Sequence, residues 1–297
     1  MSVLVESDVE NAALSWLSAL GYSTISGSDI SPGGALTERD SYGKVLPHHR
    51  ISTALVRLNR AMPDEALNDA FRKLTCLEYP TLPANNRAFH RMLTDGVPVE
   101  YMRKDGTIAG DRVRLIDFDK PENNDFLAVN QFTVVEGGHN RRPDIVIFVN
   151  GLPLAVIELK NPADEQATIW TAFNQLQTYK QQIPSLFNFN EALVISDGLE
   201  ARLGTLTADR ERFSPWKSID GEAQAPASMS QLEVLLRGIF EKHRFLDLIR
   251  HFIVFDDRDD RIVKKMAGYH QFHAVQKALA ETLKASGPAG DKRCGVV

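Results

Sequence analysis

A length of 297 residues suits about two domains. No apolar run approaches the roughly 20 residues of a bilayer span, the N-terminus lacks a basic and apolar signal peptide, and Cys76 and Cys294 lie too far apart for a disulfide framework or a zinc cluster, so a cytoplasmic protein with no membrane partner is expected. A net charge of −5 argues against a protein that coats nucleic acid through overall basicity, but leaves room for a local basic groove.

Ser7-Asp8-Val9-Glu10 reads as a capping box. The helix after it carries Val9, Ala13, Trp16, Leu17 and Leu20 on one stripe and stops at Gly21. Residues 26–44, rich in Ser, Gly, Asp and Pro, read as a loop. Helical periodicity returns over 51–61, 63–74 and 86–94. Strands are expected at 97–103, 112–118 and 126–135. A hairpin over 144–160 follows, then Asn161-Pro162 and a helix over 169–182. Short strands at 193–196 and 201–207 flank Asp197-Gly198. After an irregular stretch at 210–226, residues 229–253 read as one or two helices. The charged run 256–261 is a candidate linker. A helix at 270–285, a Gly/Pro loop at 286–291 and a beginning strand at 294–297 look like the opening of a further domain, so the chain is expected to be a fragment.

The hairpin carries the most information. Two apolar runs, Ile145–Val149 and 152–157, flank Asn150-Gly151, a strong hairpin signal. Asp144 opens the first run and Glu158-Leu159-Lys160 closes the second. Apolarity on both faces implies central strands of a covered sheet. Charges at the ends of such strands are costly unless they pair or coordinate. Glu158 and Lys160 share a face by alternation. A plain two-residue turn would put Asp144 opposite Ile157, on the other face. Convergence therefore predicts a three-residue loop, 150–152, or an equivalent bulge. Two carboxylates and an ammonium then suggest a hard-metal site with a cation beside it. One helical turn links Gln175 and Tyr179 on the next helix. Arg87, Arg91, Arg103, Lys104, Arg112, Arg114, Arg141 and Arg142 form a basic stretch, which would otherwise be a solvated face.

Pro143-Asp144 with Glu158-x-Lys160 resembles the PD-(D/E)xK nuclease superfamily. The Gln-x-x-x-Tyr at Gln175/Tyr179 resembles the extra motif of nuclease domains fused to DNA motors. Over nearly its whole length the chain resembles the restriction (R, motor) subunit of type I restriction-modification enzymes. Glu10 in the Trp-containing first helix, Asn130-Gln131-Phe132, Ser196-Asp197-Gly198 and Tyr269-His270-Gln271-Phe272-His273-Ala274-Val275 carry that likeness.

The resemblance implies an α/β fold, with helices on both faces of a mixed twisted sheet. It implies a nuclease domain at 1–255 and, at 256–297, a linker and the beginning of a RecA-like motor that stops before the phosphate-binding loop. Asp144, Glu158 and the Leu159 carbonyl would hold Mg²⁺, with Glu10 as a further metal-side carboxylate. Lys160 would act on the attacking water or the phosphate charge, and Gln175 and Tyr179 would position Lys160 or DNA. Gln271 would be a partial adenine site, with ATP used only by the full-length subunit. Partners would be duplex DNA and the methyltransferase and specificity subunits. Two rivals are a non-catalytic module docking motor and DNA, with its metal face occluded or Lys160 in a salt bridge, and an ATPase fragment whose function lies past Val297.

Overall fold

A computed structural model describes residues 6–161, 168–257 and 261–293. Helix α1 (Glu6–Ala19) buries Val9, Ala13 and Leu17, the expected stripe. Strand β1 (Ser23–Ser26) and a long loop precede helices α2 (His48–Leu58), α3 (Asp64–Thr75) and α4 (Leu82–Asp95). Strands β2 (Val97–Met102) and β3 (Ile108–Val113) form a hairpin. The second strand lies earlier than the expected 112–118, because the turn pairs Met102 with Ile108 and uses up the ladder at Val113. Arg114 instead exchanges backbone hydrogen bonds with the Asn59 side chain.

The expected strand at 126–135 is two strands. β4 (Phe126–Asn130) stops where Gln131 takes φ +54°. β5 (Val134–Glu136) pairs instead with β6 (His139–Arg141). Next come β7 (Ile145–Val149), β8 (Leu152–Leu159), α5 (Ile169–Gln182), the short α6 (Pro184–Phe187), β9 (Ala192–Ser196) and β10 (Ala201–Gly204). Helices α7 (Gln231–Ile239) and α8 (Lys242–His251) fill the region expected to be helical, but Ile253 already belongs to strand β11 (Ile253–Asp256). That strand pairs with β12 (Val263–Met266), ahead of α9 (Tyr269–Ser286). The expected linker is thus partly strand. Its residues 258–260, the Pro162 stop and the strand expected at 294–297 lie outside the described residues.

Six strands make one mixed sheet in the order β1-β4-β7-β8-β9-β10. β1–β4 and β8–β9 are parallel and the other pairs antiparallel. Every residue of β7, β8 and β9 is buried. Strands buried throughout need cover on both faces, which is why the hairpin is apolar on both. α1 packs on β1, β4 and β8, and α5 on β8 and β9.

Asn150 and Gly151 form a two-residue turn, both with positive φ, the combination that matches strand twist. Asn150 is buried and uses its whole amide: its Oδ1 accepts from Asp125 N and Arg57 Nη2, and its Nδ2 donates to Leu115 O and Asn124 Oδ1. The predicted three-residue loop is therefore absent, and the alternative of a bulge holds. Phe148 pairs with Pro153 while Ile147 pairs with Ala155, leaving Leu154 as the extra residue. Beyond the bulge Ile145 faces Ile157, and one further step sets Asp144 against Glu158.

Candidate active site

The bulge decides which side chains meet. Residues directly opposite on antiparallel strands share a face, so Asp144 and Glu158 converge at the end of the sheet's two central strands. Lys160, two residues on, joins them: its Nζ lies 2.8 Å from Glu158 Oε1 and 2.9 Å from the Leu159 carbonyl. The Leu159 N–H donates to Asp144 Oδ2 at 2.7 Å. The Leu159 backbone thus holds Asp144 through its N–H, and its carbonyl oxygen carries the Lys160 ammonium that pairs with Glu158.

Burial sets the electrostatics. Glu158 is fully buried and Asp144 nearly so, at 6% exposure. Burial pushes the Asp144 carboxyl up to about 6, against the pull of the Leu159 N–H and the Lys160 charge. Burial and the adjacent Asp144 push Glu158 up to about 8, although Lys160 favours its ionised form. Glu158 Oε2 is buried with no hydrogen-bond partner. Two crowded carboxyls, one with an orphaned oxygen, form a site short of positive charge.

Asp144 opens onto a groove of about 610 Å³, lined also by Glu6, Glu10, Gln131, Arg141, Gln175 and Tyr179. α5 delivers the last two. Gln175 Nε2 donates to the Tyr179 hydroxyl at 2.5 Å, so the one-turn spacing brings them together as expected. Burial, then the Glu158 charge, raises the Tyr179 hydroxyl well above its ordinary value and keeps it protonated. Of the basic stretch, Arg141 and Arg142 line this groove, whereas Arg87, Arg91 and Arg112 line another beside α4.

Glu10 faces the groove, but its carboxylate is engaged: Oε1 accepts from Asn130 Nδ2 at 2.8 Å and Oε2 from Gln131 Nε2. These hydrogen bonds reach across to the end of β4, and the expected capping box is not formed, because α1 begins at Glu6 and Ser7 already lies within the helix. Gln271 stands away from the site. Its side chain accepts from Gly268 N at 2.9 Å and closes the first turn of α9. Among the described residues, no group of three or more His, Cys, Asp and Glu is arranged to hold a metal ion. The hard oxygen donors here are two carboxylates and a carbonyl, and Mg²⁺ usually takes only one or two carboxylates beside its waters.

Sequence reasoning gave no role to three contributions. Gln131 sits between Glu10 and Asp144, and the signal was available as two consecutive amides ending an apolar strand. Asp197, within the Ser196-Asp197-Gly198 turn, accepts from Ile169 N and fixes the start of α5. Glu191 and Lys264, both fully buried, pair at 2.6 Å and fasten β12 to the segment before β9.

A mixed sheet whose central hairpin brings two carboxylates and a lysine together, with Asp144 opening onto a groove, fits the restriction-endonuclease-like class of α/β folds. The chain belongs to the family described as type I restriction enzyme R protein N terminus, whose model matches residues 4–212. It is 39% identical over 99% of its length to the type I restriction enzyme HindI endonuclease subunit of Haemophilus influenzae, and spans 28% of that protein. A Methanocaldococcus jannaschii protein, provisionally named type I restriction enzyme MjaIXP endonuclease subunit, is 33% identical over 97% of the chain, which spans 29% of it. The type I restriction enzyme EcoprrI endonuclease subunit of Escherichia coli is 28% identical over 64% of the chain and 59% of its own length.

Proposed function

We propose that this chain carries the Mg²⁺-dependent nuclease centre of a type I restriction motor subunit. The reaction is phosphodiester hydrolysis in unmodified duplex DNA, at nonspecific sites reached by ATP-driven translocation of the full-length subunit. One observation carries this reading: a bulge in the central hairpin brings Asp144 and Glu158 onto one face, with Lys160 beside them. A hairpin that was only structural would have no use for charged groups at such a costly position.

Asp144 and Glu158 would hold the ion, together with the Leu159 carbonyl. When bound, it polarises the scissile phosphate and lowers the pKa of a water. The donor set suits a small hard cation, and both raised carboxyls and the orphaned Glu158 oxygen suit a neutralising charge. Lys160 orients the attacking water or offsets the negative charge growing on the phosphate. Water adds to phosphorus, one P–O ester bond breaks and the departing oxygen leaves protonated. Tyr179, kept protonated, and Gln175 donate hydrogen bonds into the groove and position Lys160 or the DNA. Arg141 and Arg142 contact phosphates, which positions the duplex without reading its sequence. Glu10 acts from the groove wall as a further metal-side carboxylate. Target reading and methylation fall to the specificity and methyltransferase subunits, in the cytoplasm. Residues 1–255 form the bulk of the nuclease domain, to which Lys264 of β12 is still fastened, and the chain after it leads into a RecA-like motor, in which Gln271 contributes to the adenine site of the longer protein.

The Lys160–Glu158 ion pair favours a second reading, a nuclease-like module that docks motor and DNA without cutting. Plasmid cleavage and ATP hydrolysis, measured together in Mg²⁺ on the full-length subunit with its methyltransferase partner, separate the two. Lys160→Ala abolishes cleavage and spares ATP hydrolysis if the centre is catalytic. Persistent cleavage removes Lys160 from the chemistry and puts the docking reading ahead.

A further inference from the structure

Side chains of consecutive strand residues point to opposite faces. Asn130 and Gln131 break that rule, since both donate to the Glu10 carboxylate, one to each oxygen. They do so because Gln131 occupies the left-handed region at φ +54°. A residue with a Cβ and no short local hydrogen-bonding side chain rarely sits there. The surroundings leave Gln131 little choice. Its N–H donates to the Asp144 carbonyl at 2.8 Å and Gly27 N–H donates to the Asn130 carbonyl at 2.7 Å. Gly27 packs so close that a Cβ there would lie 2.4 Å from the Gln131 carbonyl oxygen. The turn carries the Gln131 amide back towards the sheet end, where Nε2 also lies 3.4 Å from Asp144 Oδ1. One amide nitrogen with two hydrogens thus stands between two carboxylates.

We propose that Gln131 is a positioning residue that yokes Glu10 to Asp144 and thereby sets the affinity of the carboxylate pair for a divalent cation. The inference rests on the metal reading of Asp144 and Glu158. The strained backbone has a local purpose on this account: a relaxed, extended Gln131 would turn its amide to the other face and leave Asp144 without this lateral restraint. Strain of this kind persists where the surroundings over-determine it, and it clusters at functional sites. Partners that orient a ligating carboxylate are worth about 10–100-fold in metal affinity.

The test is Mn²⁺ binding to the full chain by calorimetry, without DNA, alongside thermal unfolding. Gln131→Gly accepts the backbone and removes the amide. Gln131→Met keeps the bulk and the strain and also removes the amide. Both are expected to weaken Mn²⁺ by about tenfold or more, with Gln131→Gly unfolding no earlier than wild type. Asp144→Asn gives the level of complete loss. A Gln131→Gly or Gln131→Met chain that binds Mn²⁺ within twofold of wild type overturns the positioning role and leaves the metal reading intact. A wild-type chain that binds no Mn²⁺ overturns both.

Discussion

Replacing Asp144 by Asn should stabilise the cation-free protein. Burial of the ionised Asp144, with smaller contributions from the Glu6 and Glu10 charges, raises its pKa from 3.8 to about 6. At about 1.4 kcal/mol per pH unit, that displacement costs the folded state up to about 3 kcal/mol once the group is ionised in both states. The sign follows from linkage. A raised carboxyl contributes stability below its unfolded pKa, and that contribution is lost as pH rises through the folded one. The deficit is therefore absent below about pH 4 and complete above about pH 6. Asn carries no charge, and its carbonyl oxygen still accepts from the Leu159 N–H. In urea denaturation with EDTA, Asp144→Asn should exceed wild type by about 2–3 kcal/mol at pH 8 and match it near pH 4. Mg²⁺ at about 1,000 times its Kd should invert the order, since it adds about 4.1 kcal/mol to wild type and nothing to a variant that cannot bind. An Asn variant less stable than wild type at pH 8 in EDTA would refute the electrostatic reasoning. Equal Mg²⁺ stabilisation of both proteins would refute the assignment of Asp144 to the cation.

Two further outcomes follow from the frame around the site. Gly151→Ala should lower unfolding free energy by about 2 kcal/mol or more, because φ is +80° and a Cβ would lie 2.9 Å from Ile51 Cγ1 and 3.1 Å from Ile51 N; chemical denaturation reads this, and an unchanged midpoint would mean that the turn relaxes freely. Lys264→Ala should cost up to about 3–5 kcal/mol by leaving the buried Glu191 carboxylate with His90 as its one remaining charged neighbour. Burial alone would raise the Glu191 carboxyl, but Lys264 and His90 more than offset it and hold it below its ordinary value of 4.5. The stabilisation should thus persist above that pH and fade in acid titrations below it, while the variant shows no such fade.

Chain order alone yielded α5 to the residue, because the 169–182 periodicity is a local signal. The hairpin, its central place in the sheet and the need for a register shift were also legible. They follow from two-sided apolarity, the Asn-Gly turn and the period of two along a strand. How the shift is made was not legible. A three-residue loop and a bulge satisfy the same count, and the choice went to the bulge because Asn150 spends its amide on four partners from distant segments. The same limit applies to Glu10. Its spacing from Ser7 reads as a cap, but Ser7 lies inside α1, and the partners of Glu10 lie about 120 residues away at the Gln131 kink. Residues 253–266 show it once more, for β11 and β12 are secured by the Lys264–Glu191 pair, formed between residues remote in sequence. Sequence by itself determined most of the helices, the central hairpin, the apolar centre and the candidate charged residues, since these depend on periodicity and composition. Tertiary structure decided which oxygen faces which donor, since hydrogen bonds and burial join segments that share no local pattern.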